Sequence, residues 1–267
     1  EWARSLNSGL YSLPWPRVAA HAWHRPLWER GIGADVVDAT RDFAAYRVVI
    51  VPGVFLLRPG FVERLQAAAR AGTQVVIDGL SAWVDQDMAC VTGGRPGPLG
   101  EALGLRCEEF DQLRDDESVP LDDPHGWLGA GATAQQWVDR IQVADTEVLV
   151  RLAGGFHDGF PAVTRKALGA GHMWYVAVGL TPAARVHLLA KLCAAAHVVP
   201  CLPHLPAGVI ARERTQPGAR YVVLMNPTPT AVICPLPAGW RRARDGRALS
   251  EVALPASGAE VVVSTAG

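Results

Sequence analysis

The sequence lacks several features that mark whole classes of proteins. No apolar run reaches the roughly 20 residues that a membrane-spanning helix needs, so we expect no membrane partner. The 25 basic residues balance 26 acidic ones and form no basic stripe, which argues against nucleic acid as a partner. The first residues show no basic segment followed by an apolar run, so no signal peptide is visible.

Cysteine is scarce and its pattern is uninformative for metals. The five cysteines are odd in number and form no CxxC pair, which argues against a zinc site and against a disulfide framework. We therefore expect free, mostly buried thiols and a cytoplasmic location. The five are Cys90, Cys107, Cys193, Cys201 and Cys234.

Fingerprints of bound cofactors are also missing. The glycine-rich stretch at 93–97 has the spacing of neither a P-loop nor a dinucleotide site, and residues 169–171 read as a hairpin tip. His21 and His24 are spaced to share a helical face, but no third metal ligand follows nearby. We therefore assign no cofactor and no metal ligand.

The sequence does contain a strongly apolar strand at residues 47–52, around which the rest is organised. Its consecutive β-branched residues predict a strand buried on both faces, in the middle of a parallel sheet. A short strand at 34–37 precedes it; a helix at 59–71 and a strand at 73–77 follow it as a βαβ unit. The chain of 267 residues is long enough for one large or two unequal domains.

The remaining pattern predicts two domains. Residues 84–146 read as loop-rich, with a strand at 105–113 and a few short strands besides. A strand at 147–152, a hairpin at 161–168 and 172–178, and a helix at 182–196 capped by Thr181 follow. Three prolines at 200, 203 and 206 then mark a linker, after which short strands at 208–214, 221–226, 231–236 and 259–264 predict an antiparallel β domain. We place the domains at 1–205 and 206–267.

Acidic pairs offer no catalytic site. Two carboxylates that act together in catalysis are recognised by a shared environment and not by adjacency in sequence. Glu108 and Glu109, like Asp115 and Asp116, are neighbours in sequence, so on a strand their side chains point to opposite faces. We interpret both pairs as solvated charges and assign no catalytic residue.

One glycine-rich turn carries two aromatic residues, which could either pack within the approach to a hairpin or face a partner. Phe156 and Phe160 flank His157 and Asp158 in this turn. Because aromatic side chains dominate contact energies, Phe156, His157 and Phe160 are the candidate residues for an interface or for the rim of a sugar site.

Several stretches, taken in order, resemble glycoside hydrolase family 42, the β-galactosidases. The first is residues 161–165 followed by Gly169-Ala170-Gly171 and Tyr175. The resemblance extends over nearly the whole chain, through residues 46–52 with 55–57, 94–99, 103–105 with 108–111, and 224–226.

The resemblance implies a fold and a role. In that family a catalytic (β/α)8 barrel comes first, and a trimerisation domain with a flavodoxin-like, class I glutamine amidotransferase-like fold follows. That fold is an α/β, doubly wound, mostly parallel sheet, and a small antiparallel all-β domain closes the chain. The barrel with its catalytic glutamates would precede Glu1, and residues 1–3 would end the first strand of the trimerisation domain.

The resemblance therefore implies a non-catalytic oligomerisation region of a β-galactosidase that hydrolyses terminal β-D-galactosides. Its partners would be two further copies, in a homotrimer, and the catalytic barrel of the same parent chain. Two alternatives stay open. One is an amidotransferase-like hydrolase that uses Cys90 or Ser81 with a histidine, although Ser81 lacks the second glycine of a G-x-S-x-G turn. The other is a free-standing carbohydrate-binding accessory protein.

Overall fold

The computed structural model describes residues 17–91 and 93–265, with side chains from residue 21 onward. These residues form two compact units. Unit 1 contains Val37–His197 and the described residues up to Trp23, and unit 2 contains His24–Val36 and the described residues from Val198 onward. A domain boundary at residue 205 stays a prediction, and residues 24–36 join the second unit rather than the first.

Unit 1 is built on a nine-stranded sheet. Along the chain its elements are α1 (Arg17–Glu29, which continues into unit 2), β1 (Val48–Val51), β2 (Leu56–Leu57), α2 (Phe61–Arg70), β3 (Gln74–Asp78), β4 (Val84–Asp85), α3 (Pro98–Leu103), β5 (Leu105–Gln112), β6 (Val119–Asp122), β7 (Thr133–Val143), β8 (Glu147–Leu152), β9 (Pro161–Leu168), β10 (Gly171–Val176), β11 (Val178–Leu180) and α4 (Pro182–Ala195). The strand order is β1-β3-β10-β9-β8-β6-β7-β11, β5 pairs with β7, and β2 pairs with β4 separately.

The sheet is mixed, which confirms the α/β class but not the mostly parallel pairing. β3 runs parallel to both β1 and β10, whereas the other described pairings in this sheet are antiparallel. The physical reason is connection length: β8, β9 and β10 are joined by short turns, and a parallel crossover needs a dozen or more residues.

β1 lies at an edge of the described sheet, not in its middle. It pairs with β3, and three of its four residues are half-buried rather than buried. The expected strand end at residues 1–3 lies outside the described residues. The β-branched residues of this edge strand therefore predicted the strand correctly but not its burial on both faces.

The short strand predicted at 34–37 is wrong. Val36 is 84% exposed and no described strand pairs with this segment, so its β-branched residues have no ladder to join. The chain turns directly afterwards, where Asp38 Oδ1 accepts hydrogen bonds from the backbone N and the Oγ1 of Thr40.

Other predicted elements are confirmed. The inward face of α2 is formed by Phe61, Leu65, Ala68 and Ala69, as its spacing predicts. β9 and β10 form the expected hairpin, and Thr181 Oγ1 caps α4 by accepting the Ala184 N–H at 3.2 Å. The apolar faces of α2, β3 and β10 pack into the core of unit 1, and each fully buried Leu or Ile contributes about 1.5–3 kcal/mol.

Unit 2 confirms the antiparallel β prediction and adds two strands to it. Its four-stranded sheet has the order β12-β13-β17-β15, and β14 pairs with β16. Their bounds are β12 (Ile210–Gln216), β13 (Ala219–Met225), β14 (Val232–Pro235), β15 (Trp240–Arg242), β16 (Glu251–Leu254) and β17 (Ala259–Ser264). Within the described part of the chain, no helix is both long and apolar enough to span a membrane.

Candidate functional site

The predicted aromatic turn forms an exposed surface feature. Phe156 is 72% exposed, and Phe160 is half-buried beside it. The Arg140 guanidinium lies 4.8 Å from the ring centre of Phe156 and 4.6 Å from that of Phe160. Arg140 also pairs with the Glu109 carboxylate. We call this group, Glu109, Arg140, Phe156 and Phe160, the Phe156 surface.

Hydrogen bonds from side chains and backbone hold the turn in one shape. Asp158 Oδ1 accepts the Gly154 N–H at 2.6 Å, and Leu152 O accepts the Gly159 N–H at 2.9 Å. Arg151 Nη1 donates to Gly159 O at 2.8 Å. The exposed Phe156 ring is therefore displayed on an ordered turn, which lowers the entropy cost of binding through it.

His157 anchors the turn from beneath. It is buried, and its Nδ1 lies 3.8 Å from Asp111 Oδ2. Neither atom has a hydrogen-bond partner among the described residues, and at 3.8 Å the two are too far apart to bond to each other. Of the three predicted residues, Phe156 and Phe160 face outward and His157 supports them.

A second cluster, which the sequence did not reveal, is buried in the sheet of unit 1. Asp139 on β7 is fully buried, and its two carboxylate oxygens accept from Arg95 Nη2 at 2.9 Å and from the Tyr175 hydroxyl at 2.7 Å. Arg95 Nη2 also contacts Cys107 Sγ at 3.1 Å, and the guanidinium lies 3.8 Å from the centre of the Trp83 ring.

Burial controls the protonation of this cluster. It raises the pKa of Asp139, although Arg95 and the Tyr175 hydroxyl oppose the rise. It also raises the pKa of the Cys107 thiol to about 12, with the Asp139 charge adding to the effect. A thiol that stays protonated is a poor nucleophile, so the cluster is better suited to holding the fold together than to catalysis.

A further buried acid, Asp78, ends β3. Its side chain accepts the indole N–H of Trp23 at 3.2 Å, and the residue is 3% exposed. Burial raises its pKa to about 7, which the Trp23 hydrogen bond only partly opposes. The next residue must be glycine, because a Cβ on Gly79 would lie 2.5 Å from Asp139 Oδ2.

The chain is similar to proteins of one known family over most of its length. The family description "Beta-galactosidase trimerisation domain" matches residues 7–199. The chain belongs to this family of trimerisation domains.

Individual relatives of the trimerisation domain agree. Beta-galactosidase BglY of Alicyclobacillus acidocaldarius subsp. acidocaldarius is 33% identical over 243 residues, which are 88% of this chain and 35% of BglY. The solved β-galactosidase from Bacillus circulans sp. alkalophilus matches 94% of this chain and 38% of its own, with 27% identity and a TM-score of 0.87. That from Rahnella sp. R3 matches 97% and 38%, with 28% identity and a TM-score of 0.85.

The trimerisation-domain chain thus spans a little over a third of the relatives it matches. Similarity to these relatives extends over both units, since the Rahnella alignment covers 97% of this chain.

The acidic pairs of this trimerisation domain lie where surface charges are expected. Glu108 is exposed and bonds to Arg106 and Gln142, at 2.9 and 3.2 Å. Asp115 and Asp116 lie in an exposed turn. Among the described residues, no group of three or more His, Cys, Asp or Glu residues could hold a metal ion.

The two candidate nucleophiles lie in different environments. Ser81 is buried, and its Oγ accepts the Val54 N–H at 3.1 Å and donates to Val51 O at 3.3 Å. Both bonds tie the hydroxyl to the backbone. Cys90 is exposed in the loop that follows β4. The strained position of the turn belongs to the buried Ala82, with φ of 57°.

Proposed function

We propose that this chain is the trimerisation and C-terminal region of an enzyme that hydrolyses terminal β-D-galactosides, and that it has no catalytic role of its own. The observation that carries the proposal is the trimerisation-domain match, together with the alignment of the chain to about a third of several β-galactosidases. Its partners would be two further copies and the catalytic barrel of the same parent chain.

The proposed architecture is a closed ring of three copies, in which the chain holds three catalytic barrels in place. The parallel strands β1, β3 and β10 with α2 support a flavodoxin-like origin of unit 1. The free cysteines, four of them buried, support a cytoplasmic location.

We further propose that the Phe156 surface is part of the subunit contact. Interface hot spots are enriched in aromatic residues and arginine, and an ordered exposed phenylalanine above an arginine matches that composition. His157 would then hold the turn in its binding shape rather than contact the partner.

Sedimentation velocity across a dilution series tests the assembly. We expect a trimer that dissociates on dilution. We expect Phe156→Ala to raise the concentration at which half of the trimer has dissociated by about 10- to 100-fold. Ile233→Ala, which removes an exposed apolar side chain of unit 2, is the matched control and should leave the midpoint unchanged. A wild-type chain that remains monomeric at the highest soluble concentration refutes the trimerisation role.

A galactoside assay and a titration test the alternatives. We expect no hydrolysis of a chromogenic β-galactoside by the chain, and substantial turnover would overturn the non-catalytic proposal. The exposed ring of Phe156 could instead serve as a platform for a sugar, which is the observation that favours a carbohydrate-binding role. Calorimetry with galactose and lactose separates the two, because saturable heat that Phe156→Ala removes would favour sugar binding over a subunit contact.

A further inference from the structure

A cyclic trimer needs two different surfaces on every copy. In a threefold ring each contact is head-to-tail, so a patch on one copy meets another patch on the next. If the Phe156 surface is one half of the contact, the chain must carry its complement elsewhere.

The Phe156 surface has an acidic surround, in which three carboxylates face two guanidinium groups. Glu109 and Asp158 are exposed and Asp111 is half-buried, whereas Arg140 pairs with Glu109 and the exposed Arg151 donates to Gly159 O at 2.8 Å. Arg140 is the cation that lies over the aromatic rings, and it is already paired with Glu109. A complementary partner should therefore bring positive charge and planar groups that stack on an aromatic face.

Unit 2 has a turn of that composition at residues 241–247. Four of its seven residues are arginines, and six of the seven are exposed. Arg242 is neutralised by Asp245 and Glu260, at 3.2 and 3.1 Å. Arg241 and Arg247 form no ion pair among the described residues. Arg244 Nη2 lies 3.7 Å from Glu260 Oε2, which is a long distance for an ion pair. We call residues 241–247 the arginine turn.

The arginine turn is ordered by its own hydrogen bonds. Arg247 O accepts the Arg242 N–H at 2.8 Å, and Arg242 O accepts the Gly246 N–H at 2.9 Å. Asp245 Oδ1 accepts the Arg247 N–H at 3.1 Å. Both surfaces are thus displayed on turns that would lose little freedom on binding.

We propose that, in the trimer proposed above, the arginine turn of one copy docks on the Phe156 surface of the next. The inference rests on that proposed function. A guanidinium from Arg244 or Arg247 stacks on the exposed Phe156 ring, and the remaining positive charge faces the acidic surround. Because the two patches differ and lie on different units, the contact has the head-to-tail character that a threefold ring requires.

A double-mutant cycle tests the contact. We expect Phe156→Ala and the pair Arg244→Ala/Arg247→Ala each to raise the dissociation midpoint of the trimer by about 10-fold or more. Combined, they should raise it by clearly less than the product of the separate effects, since contacting residues are not additive. The Arg244→Ala/Arg247→Ala substitutions should also reduce the dependence of the dissociation midpoint on salt concentration. Arg41→Ala, an exposed arginine of unit 1, is the control and should change nothing.

The outcomes separate this inference from the function on which it rests. The docking would be overturned if the trimer still forms but the two sets of substitutions have strictly additive effects on its dissociation midpoint. It would also be overturned if the Arg244→Ala/Arg247→Ala substitutions leave that midpoint unchanged. Either result would leave the trimerisation role standing. Absence of any wild-type trimer would defeat the trimerisation role itself.

Cross-linking provides a second readout that does not depend on affinity. In a Cys90→Ser background, which removes the exposed thiol, Phe156→Cys and Arg244→Cys chains are prepared separately and mixed under mild oxidation. A disulfide dimer that forms in the mixture, and in neither chain alone, is expected. Its absence at a concentration where the trimer persists would overturn the docking.

Discussion

The buried carboxylic acid of Asp78 gives a sharp prediction for stability against pH. Its pKa rises from 3.8 to about 7 in the folded chain because burial disfavours the charged form. The folded state then binds a proton more tightly than the unfolded state does. The free energy of unfolding should therefore fall as the pH rises from about 4 to about 7, and stay low above that range.

The size of this effect follows from the pKa shift. A shift of about 3 units corresponds to roughly 4 kcal/mol between the two ends of that pH range. Asp78→Asn keeps the side-chain volume and an acceptor for the Trp23 indole N–H, but it has no charge to bury. At about pH 8 we expect the variant to be more stable than the wild type by roughly 1–4 kcal/mol.

Denaturant unfolding monitored by circular dichroism, repeated across the pH range, measures the difference. The difference between wild type and Asp78→Asn isolates this one group, because other titrating groups contribute equally to both. Asp115→Asn, at an exposed carboxylate, should give a curve parallel to wild type. The reasoning is refuted if the Asn variant keeps the wild-type slope between about pH 4 and 7, or is less stable than wild type at about pH 8.

Three further predictions concern packing, capping and thiol exposure. Gly79→Ala should lower the free energy of unfolding by about 1–3 kcal/mol, because the added Cβ would collide with Asp139. Gly33→Ala is the control, because a Cβ at that position meets no atom within 4 Å. Thr181→Ala should cost about 1 kcal/mol by loss of the α4 cap, whereas Thr181→Ser should retain most of it; equal losses in chemical unfolding would contradict the capping role. In a thiol-labelling assay, the native chain should react rapidly at Cys90 alone, and rapid labelling at a second site would contradict the burial of the other four.

Elements with strong local signals were predictable from sequence. α4 has an N-cap threonine followed by proline at its first position, and the β9–β10 hairpin has glycines at its tip. In each case the signal and the physical cause lie within a few residues of each other. The Phe156 turn was singled out in the same way, from glycines beside two aromatic residues, and its place in an interface or a sugar site stays a prediction.

β7 could not be predicted because its pattern is broken and its meaning is non-local. Its alternation is interrupted at Gln136, which has a φ of 70°, and its central Asp139 looks like a solvent-facing residue in sequence. The partners that make this aspartate tolerable in the core, Arg95 and Tyr175, lie 44 and 36 residues away. Only the folded sheet brings them together, so no local rule could have identified the cluster.

The two buried acids are poorly placed for catalysis, which bears on the non-catalytic role proposed above. A carboxylate that acts on a galactoside must touch both substrate and water, yet Asp139 is 0% exposed and Asp78 is 3% exposed. The oxygens of Asp139 are occupied by an arginine and a tyrosine on separate elements, and Gly79 leaves no room beside them. Arg95 and Tyr175 thereby fix β7 against β10 and the loop before α3. The Asp139 charge is thus used to join elements of the sheet, which is compatible with the non-catalytic role proposed above.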